Sequence, residues 1–235
     1  MRFTAIDLET TGLAPYRDRI IEIGAVKYEN GIAKDVFSTL VHPQITELPE
    51  RIVALTGITE EMLSDAPEEE EAMRALFSFL EGEEVLLGHN VIFDYAFLKV
   101  AAKRLGREFS YRGLDTLAIS RVCHPELSSK TLAAMCEAYH IVNEHAHRAY
   151  EDAEAAAKLF FCLKERFAKK DYPCMNPSPL VYKEKKTEPI TKRQCLYLQG
   201  IIERNGLSLA PDYATLTKSE ASRLIDKLLV KYGRE

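Results

Sequence analysis

Three apolar-rich stretches near the start of the chain, Phe3 to Asp7, Ile20 to Tyr28 and Ile32 to Val41, read as strands, and Glu29-Asn30-Gly31 joins the last two. Asn-Gly between apolar runs is a strong hairpin signal, so an antiparallel start is expected. After a polar loop, Pro67 and a run of acids open a helix in which Met73, Leu76, Phe77 and Leu80 recur at helical spacing before Gly82. A short buried strand, EVLLGHN, follows, then a helix from about Phe93 carrying Phe97, Leu98 and Ala101. GLDTLAIS supplies a fifth strand running into a short helix, SSKTLAAMCEAY a further helix, and AYEDAEAAAKLFFCLKERFAKK a long final one. Three antiparallel strands followed by strand–helix units predict an α/β fold, a mixed five-stranded sheet with helices on both faces.

Between Asp171 and Pro189 four prolines fall among polar and charged residues, and residues 171–190 read as a linker. Beyond it, Thr191-x-x-Gln194 and Thr217-x-x-Glu220 are capping-box patterns that open two helices. The first is expected to bury Leu198, Ile201 and Ile202, the second Ala221, Leu224, Ile225, Leu228 and Leu229. Three parts follow: a domain over 1–170, the linker, and a small helical module over 191–235. A core that small is marginal alone, so the module is expected to dock on the body or on a partner.

The chain has 235 residues, 46% hydrophobic and 29% charged, with a net charge of −5. That balance argues against wholesale electrostatic wrapping of nucleic acid, but it is uneven: residues 191–235 carry eight Lys and Arg against five Asp and Glu. No apolar run approaches the ~20 residues needed to span a bilayer, so no membrane role is expected. Five widely spaced cysteines without a Cys-x-x-Cys point to a reduced, cytoplasmic protein.

Chemistry begins in AIDLETTG. Asp7 and Glu9 lie two apart in a strand, so both point the same way with Cα atoms roughly 7 Å apart. Such a pair is solvated, shares a proton or holds a cation, and hard carboxylate oxygens suit Mg²⁺ or Mn²⁺. Asp94 sits within GHNVIFDYAFL at the start of a helix that follows a buried strand, and Asp152 lies in the first turn of the last long helix. Each is equally readable as an N-terminal helix acid favoured by the macrodipole. His147 precedes that helix, and Glu144, His145 and His147 offer no third soft ligand at a zinc spacing.

AIDLETTG, GHNVIFDYAFL and HRAYEDAEA resemble, in order and spacing, the three motifs of the DnaQ-like 3′→5′ exonucleases, the superfamily of the bacterial proofreading subunit. His147, five residues before Asp152, matches the DEDDh subgroup; the tyrosine-type variant would need Tyr where Arg148 stands. RIIEIGAVKYENG, HPQITELPERIVALTGITEEML, GLDTLAISR and SSKTLAAMCEAYHI are also similar to the family, and the resemblance covers residues 1–170, leaving the tail outside it.

The resemblance implies a ribonuclease H-like fold and two divalent cations, Mg²⁺ or Mn²⁺, held by Asp7, Glu9, Asp94 and Asp152, with His147 as general base. It places Thr10, Thr11 and the Gly12 backbone at the terminal nucleotide, Leu8 as an apolar wedge against the terminal base, and His89 and Asn90 near the sugar-phosphate. Arg148 is a further candidate for a phosphate. The expected substrate is the 3′ end of single-stranded or frayed DNA, in proofreading or repair, with release of 5′-mononucleotides. RNA trimming is the alternative from the same site. A recruitment module is a third reading, but it predicts decayed catalytic acids, and all five positions are intact. Residues 191–235 are a candidate contact for a DNA polymerase or another replication or repair protein.

Overall fold

The computed structural model describes residues 1–44, 47–144, 146–170, 172–183, 188–209, 211–214 and 216–233. The chain divides into two compact units, Met1–Tyr182 and Lys183–Glu235.

In the first unit, β1 (Arg2–Thr10), β2 (Ile20–Glu29) and β3 (Ile32–Leu40) form an antiparallel meander. Asn30 and Gly31 both take positive φ at the β2–β3 turn, the conformation that Asn-Gly supplies cheaply. β4 (Val85–Gly88) pairs parallel with β1, and β5 (Arg112–Asp115) parallel with β4. The sheet order is β3-β2-β1-β4-β5-β6, which puts β1 in the interior.

The strand period sorts the core onto two faces. Ile6 and Leu8 of β1 join the cluster with Met73, Leu76 and Leu80 of α3 (Glu69–Phe79) and Val91, Tyr95 and Leu98 of α4 (Val91–Arg104). Phe3 and Ala5 face the other way, against Ala153, Ala156 and Phe160 of α7 (Ala149–Arg166), with Ile119 of α5 (Thr116–Cys123) and Met135 of α6 (Leu132–Ala138) beside them. Asp7 and Glu9 continue the second series and reach the sheet end where α7 begins.

Three expectations need correction. The stretch read as a polar loop before α3 contains α1 (Glu50–Thr56) and α2 (Glu60–Leu63). These fold because Ile52, Ile58 and Leu63 bury against Ile21 and Leu48, and Thr59 caps α2 through the Met62 N–H. The sheet has six strands instead of five, because Ser178–Pro179, as β6, pairs antiparallel with Gly113 and Arg112. That strand, with a short 3₁₀ turn over Pro173–Met175, assigns much of the expected linker to the first unit. Near the other end of the linker, Ile190 donates its N–H to Leu216 and Lys218 to Glu188, which ties 188–190 into the second unit. Residues 171 and 184–187 lie outside the described residues.

In the second unit, α8 (Lys192–Arg204) and α9 (Lys218–Tyr232) both open with the full reciprocal capping box read from their sequences. Leu198, Ile201, Ala221, Ile225 and Leu228 are buried, while Ile202, Leu224 and Leu229 pack at the edge of that core. Gln194 adds a tie between the helices, its amide donating to the Lys218 carbonyl at 2.8 Å and to Ser222 Oγ at 2.9 Å.

Candidate active site

The site forms at the C-terminal end of β1, beside its parallel neighbour β4, where open α/β sheets leave a crevice. Asp7 and Glu9 come from β1, Asp94 from the first turn of α4 and Asp152 from the first turn of α7. Glu9, Asp94 and Asp152 are buried, and Asp7 keeps partial access to solvent while protein atoms crowd around it. Asp94 reaches β1 directly: its Oδ1 accepts the Leu8 N–H at 3.1 Å. One ligating atom each from Glu9, Asp152 and His147 lies within 4.8 Å of the others.

The electrostatics of this arrangement are unfavourable by themselves. Burial, and then the charges of Asp94, Asp152, Glu9 and Glu22, hold the Asp7 carboxyl well above the usual carboxylate range. Glu9 is pushed up to about 8, chiefly by burial and then by Asp152, Glu22 and Asp94, with Arg148 opposing. Asp94 is raised as well, mainly by burial, against the lowering effect of its backbone hydrogen bonds. Buried acids that repel one another are costly unless protonated or met by positive charge. A set of hard oxygen donors with that need fits a divalent cation such as Mg²⁺ or Mn²⁺.

Asp152 is bracketed by the loop that precedes its helix. Asn143 Nδ2 donates to Oδ1 at 2.6 Å, and the His147 N–H donates to Oδ2 at 3.1 Å. His147 itself is exposed, with φ of +67°. Arg148, expected to meet a phosphate, is instead engaged with Glu22 of β2: Nη2 reaches Oε1 at 2.7 Å, and Nε lies 3.1 and 3.2 Å from the two oxygens. The Ala149 N–H donates to the same carboxylate at 3.0 Å.

The expected substrate contacts divide. The Leu8 side chain is 5% exposed and belongs to the core with Ile6 and Ile23, on the face opposite Asp7 and Glu9, so it is no wedge; strand alternation turns it inward. Thr10 and Thr11 are buried too. The Thr10 hydroxyl donates to the Gly12 carbonyl at 2.7 Å, and Thr11 Oγ1 accepts the Arg19 N–H at 2.9 Å, so both shape the loop. Gly12 lies under the Asp18 carboxylate, where an added Cβ would come within 2.3 Å of Oδ2. His89 uses both ring nitrogens in the fold, on Thr116 Oγ1 at 2.9 Å and the Lys130 carbonyl at 2.8 Å, and burial lowers its pKa. Asn90 is exposed, with φ of +73° and its N–H on Asp115 Oδ1 at 2.9 Å.

Four residues of this region escaped the sequence reading. Glu22 had a signal, a lone acid within the apolar run Ile20–Val26 of a buried strand. Asp115 had one of the same kind, an acid closing a short buried strand; it caps α5 and anchors Asn90. Nothing marked Asn143, whose role depends on the path of a loop. Leu13, immediately after Gly12, is an ordinary apolar residue in sequence, and its side chain is 83% exposed in the structure.

The RNase T family model, described as an exonuclease, matches residues 4–160. The DNA polymerase III PolC-type of Caldanaerobacter subterraneus subsp. tengcongensis is 35% identical over 235 residues, covering 97% of this chain. That of Bacillus subtilis is 36% identical over 170 residues, covering 72%. The chain spans only 16% and 12% of these two relatives. Among solved structures, one titled exonuclease X in complex with 5′ overhanging duplex DNA has a TM-score of 0.58 at 24% identity, covering 71% of this chain and 93% of that one. E. coli exonuclease I in complex with a dA16 oligonucleotide gives 0.65 at 22%, covering 72% and 41%. These two likenesses show a shared fold, a mixed α/β sheet of the ribonuclease H-like kind. A family match that runs from the first strand into the last helix of the sheet unit takes in every acid of the crevice, and on it this chain belongs to the exonuclease family.

Proposed function

We propose that the chain is a metal-dependent 3′→5′ exonuclease acting on single-stranded or frayed DNA ends in proofreading or repair, releasing 5′-mononucleotides. The observation that carries this reading is the convergence of Glu9, Asp152 and His147 beside the raised carboxyls of Asp7 and Asp94. Asp7, Glu9, Asp94 and Asp152 would hold two Mg²⁺ or Mn²⁺ ions. When bound, these supply Lewis-acid activation of water and neutralise charge on the phosphate and the departing oxygen.

The protein's own groups do the rest. His147, exposed beside Glu9 and Asp152, is assigned to accept the proton of the attacking water, a transfer that an imidazole nitrogen can make. Asp152 draws the His147 backbone toward the acids. Leu13, 83% exposed, is assigned the part first given to Leu8, an apolar surface for the terminal base, and the exposed Asn90 and the Gly12 backbone are assigned to the sugar-phosphate.

DNA is the preferred substrate because the relatives named above are DNA polymerases III and both structural neighbours hold DNA. The similarity to the C. subterraneus polymerase takes in nearly the whole chain, tail included, and on that ground residues 191–235 are assigned to contact with a polymerase or another replication or repair protein. No helix among the described residues is long and apolar enough to cross a membrane, and five free cysteines fit the reducing cytoplasm.

The test is digestion of 3′- and 5′-labelled DNA and matched RNA with Mg²⁺, Mn²⁺ or EDTA, by the parent, Asp7→Ala and His147→Ala. Stepwise loss from the 3′ end of DNA, abolished by EDTA and by Asp7→Ala, is expected. Cleavage that survives either treatment removes the metal mechanism. Loss from the 5′ end removes the polarity, and faster RNA decay makes the chain an exoribonuclease.

A further inference from the structure

The helix that carries Asp152 takes a cap from another element. Its N-cap, Arg148, makes no side-chain bond to the first turn. Helix starts leave orphan N–H groups, which a nearby acceptor must satisfy. For α7 one such acceptor comes from another element: Glu22 of β2 takes the Ala149 N–H at 3.0 Å. The same carboxylate holds the Arg148 guanidinium through three contacts of 2.7 to 3.2 Å.

A second observation on β2 points the same way. Gly24, two residues along and on the same face, meets the backbone of Ala149 and Tyr150 so closely that a Cβ there would lie 2.2 Å from the Ala149 carbonyl carbon and the Tyr150 nitrogen. The first turn of α7 is therefore seated on β2 at two points, a buried carboxylate and a glycine-width gap. Glu22 has no place among the expected metal ligands, and its side chain is only 3% exposed, yet it is the register partner of Glu9. A charge placed there must be paired to be tolerated. Arg148 pairs it, and the pairing spends the guanidinium on the fold.

His147 is the residue immediately before this seat. Its φ of +67° costs energy for any residue with a Cβ and persists only where neighbours over-determine it. On its C-terminal side the chain is held by Glu22 through Arg148 and Ala149, and its own N–H is held by Asp152. We infer that Glu22 and Arg148 are positioning residues for the hydrolysis, a clamp between β2 and α7 that sets where the His147 imidazole stands relative to the acids. The inference rests on the exonuclease reading above.

The clamp acts chiefly through the placement of the base, so its loss is expected to fall mainly on kcat, with substrate and cation binding changed far less. The experiment measures kcat and KM on a 3′-labelled single-stranded DNA with Mg²⁺, and Mn²⁺ binding by calorimetry without substrate. The proteins are the parent, Arg148→Met, Arg148→Lys, Glu22→Gln and the double variant Glu22→Gln/Arg148→Met. Arg148→Met should lower kcat about 10- to 100-fold, the usual range for removing a group that orients a catalytic one. KM and the Mn²⁺ constant should stay within about threefold. Arg148→Lys, which keeps the charge but not the fork, should fall between parent and Met. As members of one unit, the two residues should be non-additive, the double variant lying within about threefold of the worse single one.

A kcat for Arg148→Met within about twofold of the parent overturns the proposal. So does a KM or Mn²⁺ constant that worsens in step with kcat, and so does full additivity in the double variant. Arg148→Met leaves the Glu22 carboxylate, 3% exposed, without its cation, so a loss of stability is expected and kinetics are read below the melting transition of each variant, with the double variant removing the unpaired charge. Should Arg148→Met fail to fold, Arg148→Lys alone decides, by whether kcat drops at unchanged KM. A parent that leaves the 3′ label intact sinks the exonuclease reading and the clamp with it. An active parent with unaffected variants sinks the clamp alone.

Discussion

Stripping divalent cations from this protein should make its stability fall as pH rises through neutrality, the reverse of ordinary acid denaturation. Glu9 supplies the magnitude. Burial first, then Asp152, Glu22 and Asp94, moves its carboxyl from an ordinary 4.5 to about 8 in the metal-free fold. A raised acid means that the folded state holds its proton longer than the unfolded one. Below about pH 4.5 both states are protonated and nothing is lost; between 4.5 and 8 the unfolded chain ionises first, and each step upward favours it. At about 1.4 kcal/mol per unit, the full interval is worth about 5 kcal/mol. For a unit of this size that corresponds to a fall of about 10–20 °C in melting temperature. The assay is thermal denaturation in EDTA from pH 4.5 to 8.5, repeated with saturating Mn²⁺ and with Glu9→Gln. Mn²⁺ should restore the midpoint at high pH by binding only the folded state, and Glu9→Gln should make the slope shallower, leaving the part due to Asp7 and Asp94. A metal-free midpoint that is constant or rises with pH, or a slope indifferent to Glu9→Gln, would refute the reasoning.

Three substitutions probe the surroundings of the acids. Gly24→Ala forces a Cβ against the Ala149 and Tyr150 backbone, so chemical denaturation should show a loss of about 1–3 kcal/mol from overpacking. Asn143→Ala removes the donor 2.6 Å from Asp152 Oδ1; calorimetry should find Mn²⁺ affinity reduced about 10- to 100-fold, as for other groups that orient a ligand. Leu13→Ala trims a side chain that is 83% exposed, so its melting curve should overlay the parent within about 0.5 kcal/mol while KM for single-stranded ends rises.

Periodicity exposed most of the sheet and its helices because each element buries a repeating face: β1 with Ile6 and Leu8 on one side and Phe3 and Ala5 on the other is the plainest case. It failed where burial depends on distant partners. Ile52, Ile58 and Leu63 look like scattered apolar residues in a polar stretch until Ile21 and Leu48 close over them. β6 has two residues and no period to detect, and its pairing with Gly113 is a tertiary event. At the site, Asp7, Glu9, Asp94, His147 and Asp152 were named from three motifs that resemble a known family, and the fold brings the strand and helix ends that carry them together, with Glu9, His147 and Asp152 within reach of one another. The residues that support them come from elsewhere in the chain, as Glu22 does for Arg148, 126 positions apart, and local spacing carries no trace of such a pairing. Leu8 misled for the opposite reason: adjacency in sequence to two acids became opposition across the sheet.

The positive φ of His147 sets stability and chemistry against each other at a single position. Glycine would occupy that backbone without strain and would remove the imidazole. His147→Gly would therefore relieve backbone strain while removing the imidazole to which the proton transfer is assigned. Thermostable variants of this chain should accordingly be sought with position 147 held constant.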